Sequence, residues 1–335
     1  MALSRRNKES ASKSITSFLK STFRIEENPK KGFLALEWVM LAYLVFTLLL
    51  VLFTYTKVVN PESMIWGRLR VVVLTIAMWA VYRMIPCRFT MLARVIVQVI
   101  LLGWWYPDTY EINRMLPNLD HLFAQAEQDI FGCQPALLWH QLWPSAVVSE
   151  LMGLGYVSYY PMIVLCILYY FVYQYEEFGR ASFIVMTSFF LYYLIFIFLP
   201  VTGPQFYYPA VGAEDIANGI FPNLYDYFNT HQEALVTPGW KDGFFYHMVE
   251  EAKVAGERPT AAFPSSHVGI ATVIMLLFFH DRAKKLFLAF LPLYIFLCLA
   301  TVYIEAHYLI DAIAGLISGV IFYFVLLFVT KKLKI

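Results

Sequence analysis

Two histidines and an aspartate near the end of the chain have the types and spacing for phosphoryl transfer. His307 and Asp311 stand four residues apart in His307-Tyr308-Leu309-Ile310-Asp311, so on a helix they share one face. A carboxylate beside an imidazole fixes its tautomer and stabilises its protonated form. A histidine so oriented is a nucleophile toward phosphorus. The bland alternative is a polar pair easing a helix end, and the cost of ionisable groups within membrane spans argues against it. The second segment is Ala262-Phe263-Pro264-Ser265-Ser266-His267. Pro and Ser favour a helix start, so Ser265 or Ser266 can be read simply as a cap. The same geometry offers free backbone N–H groups and Ser hydroxyls to phosphate oxygens. His267, just inside, is then placed to act as general acid.

Each segment opens a long apolar run, and two runs separate the histidines. Both histidines therefore return to one membrane face. The chain has 335 residues, 60% hydrophobic and 18% aromatic, with mean hydropathy +0.60. That apolar content exceeds what a soluble domain carries. The expected fold class is all-α: a polytopic membrane protein of about eight transmembrane helices. A net charge of +1 offers no basic field for nucleic acid. Of the four cysteines, Cys166 and Cys298 lie within apolar runs, and no CxxC pair supports a zinc site or disulfide framework.

The spans fall at roughly 34–57, 65–86, 90–106, 156–174, 181–201, 264–280, 286–306 and 307–330. Residues 1–33 form a basic segment too polar for a cleaved signal peptide. Ile15, Phe18, Leu19 and Phe23 recur there at helical spacing, as in a helix lying on an anionic membrane surface, with a disordered tail as the alternative. Arg83, Arg88 and Arg94, then Arg282, Lys284 and Lys285, then Lys331, Lys332 and Lys334 all fall on the N-terminal side of an eight-span chain. The positive-inside rule makes that side cytoplasmic and puts the histidines on the exoplasmic face. Two long segments, 107–155 and 202–263, share that face, and loops of this length are often functional.

The two histidine segments resemble the second and third signature motifs of the type 2 phosphatidic acid phosphatase superfamily, Pro-Ser-Gly-His and Ser-Arg-x5-His-x3-Asp. Here they read Pro264-Ser265-Ser266-His267, and Ala300-Thr301, five residues, then His307 and Asp311. The resemblance implies a six-helix catalytic core within residues 90–330, two additional helices in 34–89 and a basic tail at 331–335. It also implies His307 as the nucleophile of a phosphohistidine intermediate, oriented by Asp311, with His267 protonating the leaving group. It implies neither a metal nor another cofactor.

Two departures matter. Thr301 stands where the third motif usually has Arg, and Lys-x6-Arg-Pro is present only loosely, as Lys253 and Arg258-Pro259. Fewer phosphate-clamping cations favour a singly charged phosphodiester over a doubly charged phosphomonoester. Thr301-Val302-Tyr303, His307-Tyr308, Asp311 and Ala314-Gly315 are similar to the fungal inositol phosphorylceramide synthase branch, as is the Gly203-Pro204-Gln205-Phe206-Tyr207-Tyr208 stretch. The expected activity is transfer of a phospho-headgroup, such as inositol phosphate, from a membrane phospholipid to ceramide or a similar lipid alcohol. Water as the acceptor would make it a lipid phosphatase, and a transporter or scaffold without catalysis is the remaining reading.

Ser265, Ser266, Arg258 and Lys253 are the candidate phosphate ligands. Tyr207, Tyr208 and Trp240 are candidates for a headgroup pocket, with ordinary interfacial aromatics as the alternative. Glu37 and Arg68 are expected to face other helices or to snorkel. Gly315 and Gly319 form a GxxxG pair for close helix packing. No aspartate cluster of the CDP-alcohol phosphotransferase type appears, nor an HExxH.

Overall fold

The computed structural model describes residues 17–335, and within them the architecture is helical, with a single isolated bridge between Ile25 and Cys87. Residues 17–23 form a short helix, α1. Phe18 packs edge-on against Phe171 at 6.4 Å, while Leu19 and Phe23 are exposed. Ile15, expected on the same helix, lies outside the described residues.

The long helices follow from apolar runs with recognisable starts. α2 (Ala35–Phe53) opens where Glu37 accepts the Leu34 N–H at 2.7 Å. α3 (Pro61–Met84) opens on a proline, which loses nothing in a first turn. α4 (Arg88–Asn113) is the third crossing and outruns its expected end at 106. It continues through Pro107, and at 26 residues reaches about 39 Å, beyond the ~30 Å hydrocarbon core. The 107–155 segment then holds α5 (Asp120–Phe131), α6 (Pro135–Leu142) and α7 (Ala146–Val157). α7 and α8 (Tyr159–Tyr173) meet at a 43° bend at Ser158, where a straight helix is expected from 156. The Ser158 hydroxyl donates to the Gly155 carbonyl at 2.7 Å, a local bond that accompanies the break.

α9 (Tyr175–Phe198) is the central helix, with 78% of its apolar window buried against at most 39% for the other long spans. It packs against α2, α4, α8, α13 (Ser266–His280) and α15 (Leu309–Leu333). The 202–263 segment contributes α10 (Pro204–Val211), α11 (Ala213–Ala217), a 3₁₀ turn at Tyr227–Asn229 and α12 (Phe244–Gly256). α14 (Lys284–Tyr303) completes the set. Among the described residues six helices have the length and composition to cross a membrane, or seven counting the bent pair as one span. α13 has only 15 residues, about 22 Å, but neighbours α8, α9, α14 and α15 surround it.

α13 and α15, which carry the two histidine segments, cross at very short range. A Cβ on Gly319 would stand 3.0 Å from the Gly269 Cα, and one on Gly315 would strike the Ser265 carbonyl. The small residues of the GxxxG pair permit this approach. At the other side of the bundle, buried ion pairs tie α2 and α3 to α4. Arg94 holds Glu37, with Nε donating at 2.9 Å and both side chains fully buried. Arg68 grips Asp108 with two bonds, 3.0 and 2.6 Å, and its Nε donates to Thr47 of α2 at 3.3 Å. Glu37 and Arg68 thus face neighbouring helices rather than snorkelling.

Candidate active site

The two segments meet through the backbone before any side chain is considered. The Ser265 N–H donates to the Asp311 carbonyl at 3.0 Å, and the Ala262 N–H to the Val201 carbonyl at 2.9 Å. The Gln205 N–H donates to the Glu305 carbonyl at 2.9 Å. Loops from three parts of the chain are therefore pinned around His307, which is itself buried.

A carbonyl, rather than a carboxylate, sets the His307 tautomer. Nδ1 lies 2.8 Å from the Ala262 carbonyl oxygen, which can only accept, so Nδ1 carries the proton. The Nε2 lone pair is left free. Asp311 Oδ2 stands 3.5 Å from the same Nδ1 and accepts the Tyr308 N–H at 2.9 Å. It supports the imidazole electrostatically and closes the first turn of α15. Burial holds the His307 imidazole down at about 4, opposed by its bond to Ala262 and by the field of Glu257. The ring is neutral at physiological pH.

His267 lies at the start of α13, its ring 6.1 Å from that of His307. Aromatic contacts hold it: Tyr156 stacks on it at 5.0 Å and 23°, and Tyr159 packs against it at a tilt, 4.3 Å away at 45°. The α7–α8 bend falls between these tyrosines, so both meet one imidazole. Ser265 is the N-cap of α13, its Oγ accepting the Val268 N–H at 3.5 Å.

A cavity of about 350 Å³ joins the histidines to the space between α4, α8 and α9. Its polar end is lined by Ser266, His267, His307, Arg258, Glu257 and Gln205. Its apolar end runs between α4, α8 and α9, past Val99, Leu102, Ile163, Val164 and Phe189. Among the described residues Arg258 is the only Lys or Arg on its wall.

Several expected site residues sit elsewhere. Lys253 is buried outside the cavity wall, donating to the Ile304 carbonyl at 3.3 Å, and burial pushes its ammonium's pKa down. Ser265 is committed to its cap and does not line the cavity. The Tyr207 hydroxyl donates to the Pro222 carbonyl at 2.8 Å and that of Tyr208 to Gln134 at 2.7 Å, so both are engaged away from the cavity. Trp240 is likewise outside the wall. From the stretch that carries these tyrosines, Gln205 reaches the cavity instead. Thr301 is fully buried and spends its hydroxyl on the Cys298 carbonyl at 3.0 Å.

Buried carboxylates on α5 were not anticipated as part of the site. Asp120 accepts the N–H groups of Thr202 and Gly203 at 2.7 and 2.8 Å, the Thr202 hydroxyl at 2.9 Å, Asn118 at 2.6 Å and the Tyr308 hydroxyl at 3.1 Å. It ties the 202–205 loop to the residue after His307. One turn pair further along α5, Glu127 accepts the Leu309 N–H at 2.7 Å, and burial raises its carboxyl to about 8. In the sequence both were merely acids in a long polar segment. Among the described residues no group of three or more His, Cys, Asp or Glu is arranged to hold a metal ion.

The family model of the PAP2 superfamily matches residues 121–325. The chain belongs to the PAP2 superfamily. Searches of curated proteins and of solved structures each return no match. PAP2 proteins are in general phosphatases and phosphotransferases, which makes this chain an enzyme of that broad kind. His267, His307, Asp311, Glu257 and Arg258 all fall inside the PAP2 match, and Asp120 stands one residue before it.

Proposed function

We propose that this PAP2 chain is a membrane lipid phosphotransferase working through a phosphohistidine, with no metal in the reaction. One observation carries the reading: the His307 and His267 rings stand 6.1 Å apart on one cavity, with Nδ1 of His307 committed to a backbone carbonyl. Nε2 of His307 forms a bond to phosphorus as the bond from phosphorus to the lipid oxygen breaks. His267 supplies the proton that the departing lipid alcohol needs. In the second step His267 takes a proton from an acceptor hydroxyl, whose oxygen displaces His307. Arg258 and Ser266 neutralise and position the phosphate oxygens, and Asp311 steadies the imidazole as charge develops on it. The apolar end of the cavity suits the chains of a phospholipid donor and of a lipid acceptor.

A headgroup transferase of the inositol phosphorylceramide synthase kind is favoured over a phosphatase. A wall with one cation beside one carboxylate suits a monoanionic phosphodiester better than a dianionic phosphomonoester. Thr301, buried and self-satisfied, contributes no charge. We place the catalytic core at residues 90–330, with α2 and α3 as additions, both termini cytoplasmic and the site at the exoplasmic face. The basic ends of α13–α14 and of α15 support that orientation.

The test is to incubate purified protein with labelled phosphatidylinositol and ceramide, with and without His307→Ala. Labelled inositol phosphorylceramide that disappears in the variant supports the transferase. Phosphate released from phosphatidic acid instead favours the phosphatase. Unchanged turnover in the variant removes His307 from the mechanism.

A further inference from the structure

Two buried acceptor oxygens on the wall of the catalytic cavity have no hydrogen-bond donor among the described residues: Oε2 of Glu257 and Oε1 of Gln205. They come from separate parts of the chain. Glu257 caps the C-terminus of α12, and Gln205 sits in the first turn of α10. Both are held in place. Glu257 Oε1 accepts the Tyr156 hydroxyl at 3.3 Å, and the Tyr156 ring stacks on His267. Gln205 is fixed through its backbone, whose N–H donates to Glu305 and whose carbonyl accepts from Leu235 at 2.8 Å.

A buried acceptor without a donor is unfavourable, so the occupant of the cavity is expected to bring the donors. Phosphate oxygens cannot, because they only accept and are repelled by the carboxylate. Phosphate belongs instead with Arg258 and Ser266 beside the histidines. The donors must come from the part of the substrate next to the phosphate, and they must reach two separate points. A quaternary ammonium has no N–H to give, and a single primary ammonium presents its donors at one point. A polyol offers hydroxyl donors at several positions.

We infer that Glu257 and Gln205 form a hydroxyl-reading subsite that selects a phospholipid donor with a polyol headgroup. This rests on the phosphotransferase reading and names the residues that choose its donor. Oε2 of Glu257 accepts one headgroup hydroxyl and the Gln205 amide oxygen another, while Arg258 holds the phosphodiester.

Two measurements on the full-length protein in mixed micelles test the subsite. In the first, wild type, Glu257→Gln and Gln205→Leu are assayed with phosphatidylinositol, phosphatidylethanolamine, phosphatidylcholine and phosphatidic acid. Each variant is expected to raise the KM for phosphatidylinositol by about tenfold or more, with a much smaller change in kcat. With phosphatidic acid the KM of Glu257→Gln is expected to fall, because a repulsive carboxylate is gone. Wild-type preference for either ammonium headgroup overturns the inference, as does an equal loss of kcat on every lipid. In the second, binding of glycerophosphoinositol and glycerophosphoethanolamine is titrated by thermal shift, using His307→Ala as background. Preferential binding of the inositol ester that Glu257→Gln weakens supports the subsite even without turnover, and no preference refutes it. Activity that survives His307→Ala refutes the phosphohistidine instead, and leaves the headgroup preference separately readable.

Discussion

Ionisable side chains are buried in two regions of this protein, and they are treated in opposite ways. Between α2, α3 and α4 each buried acid has its own cation: Glu37 has Arg94 and Asp108 has Arg68. Around the histidines, Asp120, Glu127 and Asp311 are buried and held by N–H and O–H donors rather than by a cation. Burial alone therefore does not mark the histidine end, where these three acids have no bonded cation. An arginine pair is closed to outside chemistry, whereas carboxylates bonded to backbone N–H groups, and in Asp120 also to hydroxyls, set the positions of loops that an incoming phosphate must fit.

The comparison breaks first at His307. His307→Ala is expected to reduce lipid turnover by at least ~10³-fold while leaving the thermal unfolding of the detergent-solubilised protein near wild type. Comparable activity would show that the unpaired end is structural after all. In the paired region the expectation is reversed. Arg94→Ala strands Glu37 and is expected to cost about 3–5 kcal/mol of stability, while the double change Glu37→Leu with Arg94→Met returns close to wild type. Unfolding of the three proteins, read together with residual activity, checks this.

Asp120→Asn is a smaller test with a sharper meaning. An amide keeps the shape but turns one acceptor into a donor facing donors. The expected loss is roughly 10–10² in kcat, from a displaced 202–205 loop and Tyr308, with the fold retained. Least of all, pH should separate the groups at the site. His307 is lowered to about 4 when folded, against 6.5 unfolded, so the unfolded chain binds more protons in that window. Stability from this group is full above about 6.5 and is lost as pH falls toward 4, and activity falls through about 4 as the nucleophile protonates. Glu127, raised to about 8, has the opposite sign: its contribution declines as pH rises from about 4.5 to 8. Glu127→Gln keeps an acceptor for the Leu309 N–H and is expected to flatten that alkaline slope in thermal-shift profiles.

The order of apolar runs was legible, because hydropathy and tight corners are local properties. So were the two histidine segments and the GxxxG contact beneath them. The bend at Ser158 was not read, although Pro161 signals it: proline cannot donate to the Val157 carbonyl one turn earlier, yet Tyr156 to Tyr173 reads as one apolar stretch. Neither was the roll of cavity residues. Tyr207 and Tyr208 were attractive as aromatics, yet Pro222 and Gln134, distant partners in the fold, engage their hydroxyls. Lys253 looked like a phosphate ligand by proximity to Arg258, but it projects from α12 toward the carbonyl that ends α14. Asp120 acquires its meaning only when residues 202, 203 and 308 arrive around it.

The group that holds the His307 proton belongs to no side chain. It is the carbonyl of Ala262. A mutational scan would register that position only through size, because the Ala262 Cβ lies 3.2 Å from where a Cβ on Gly203 would stand. Small residues would pass unnoticed and larger ones would fail by wedging the loops apart, although neither outcome touches the acceptor atom. An amide-to-ester replacement at the 262–263 linkage, which weakens that carbonyl and leaves every side chain in place, is the perturbation to which the imidazole would respond directly.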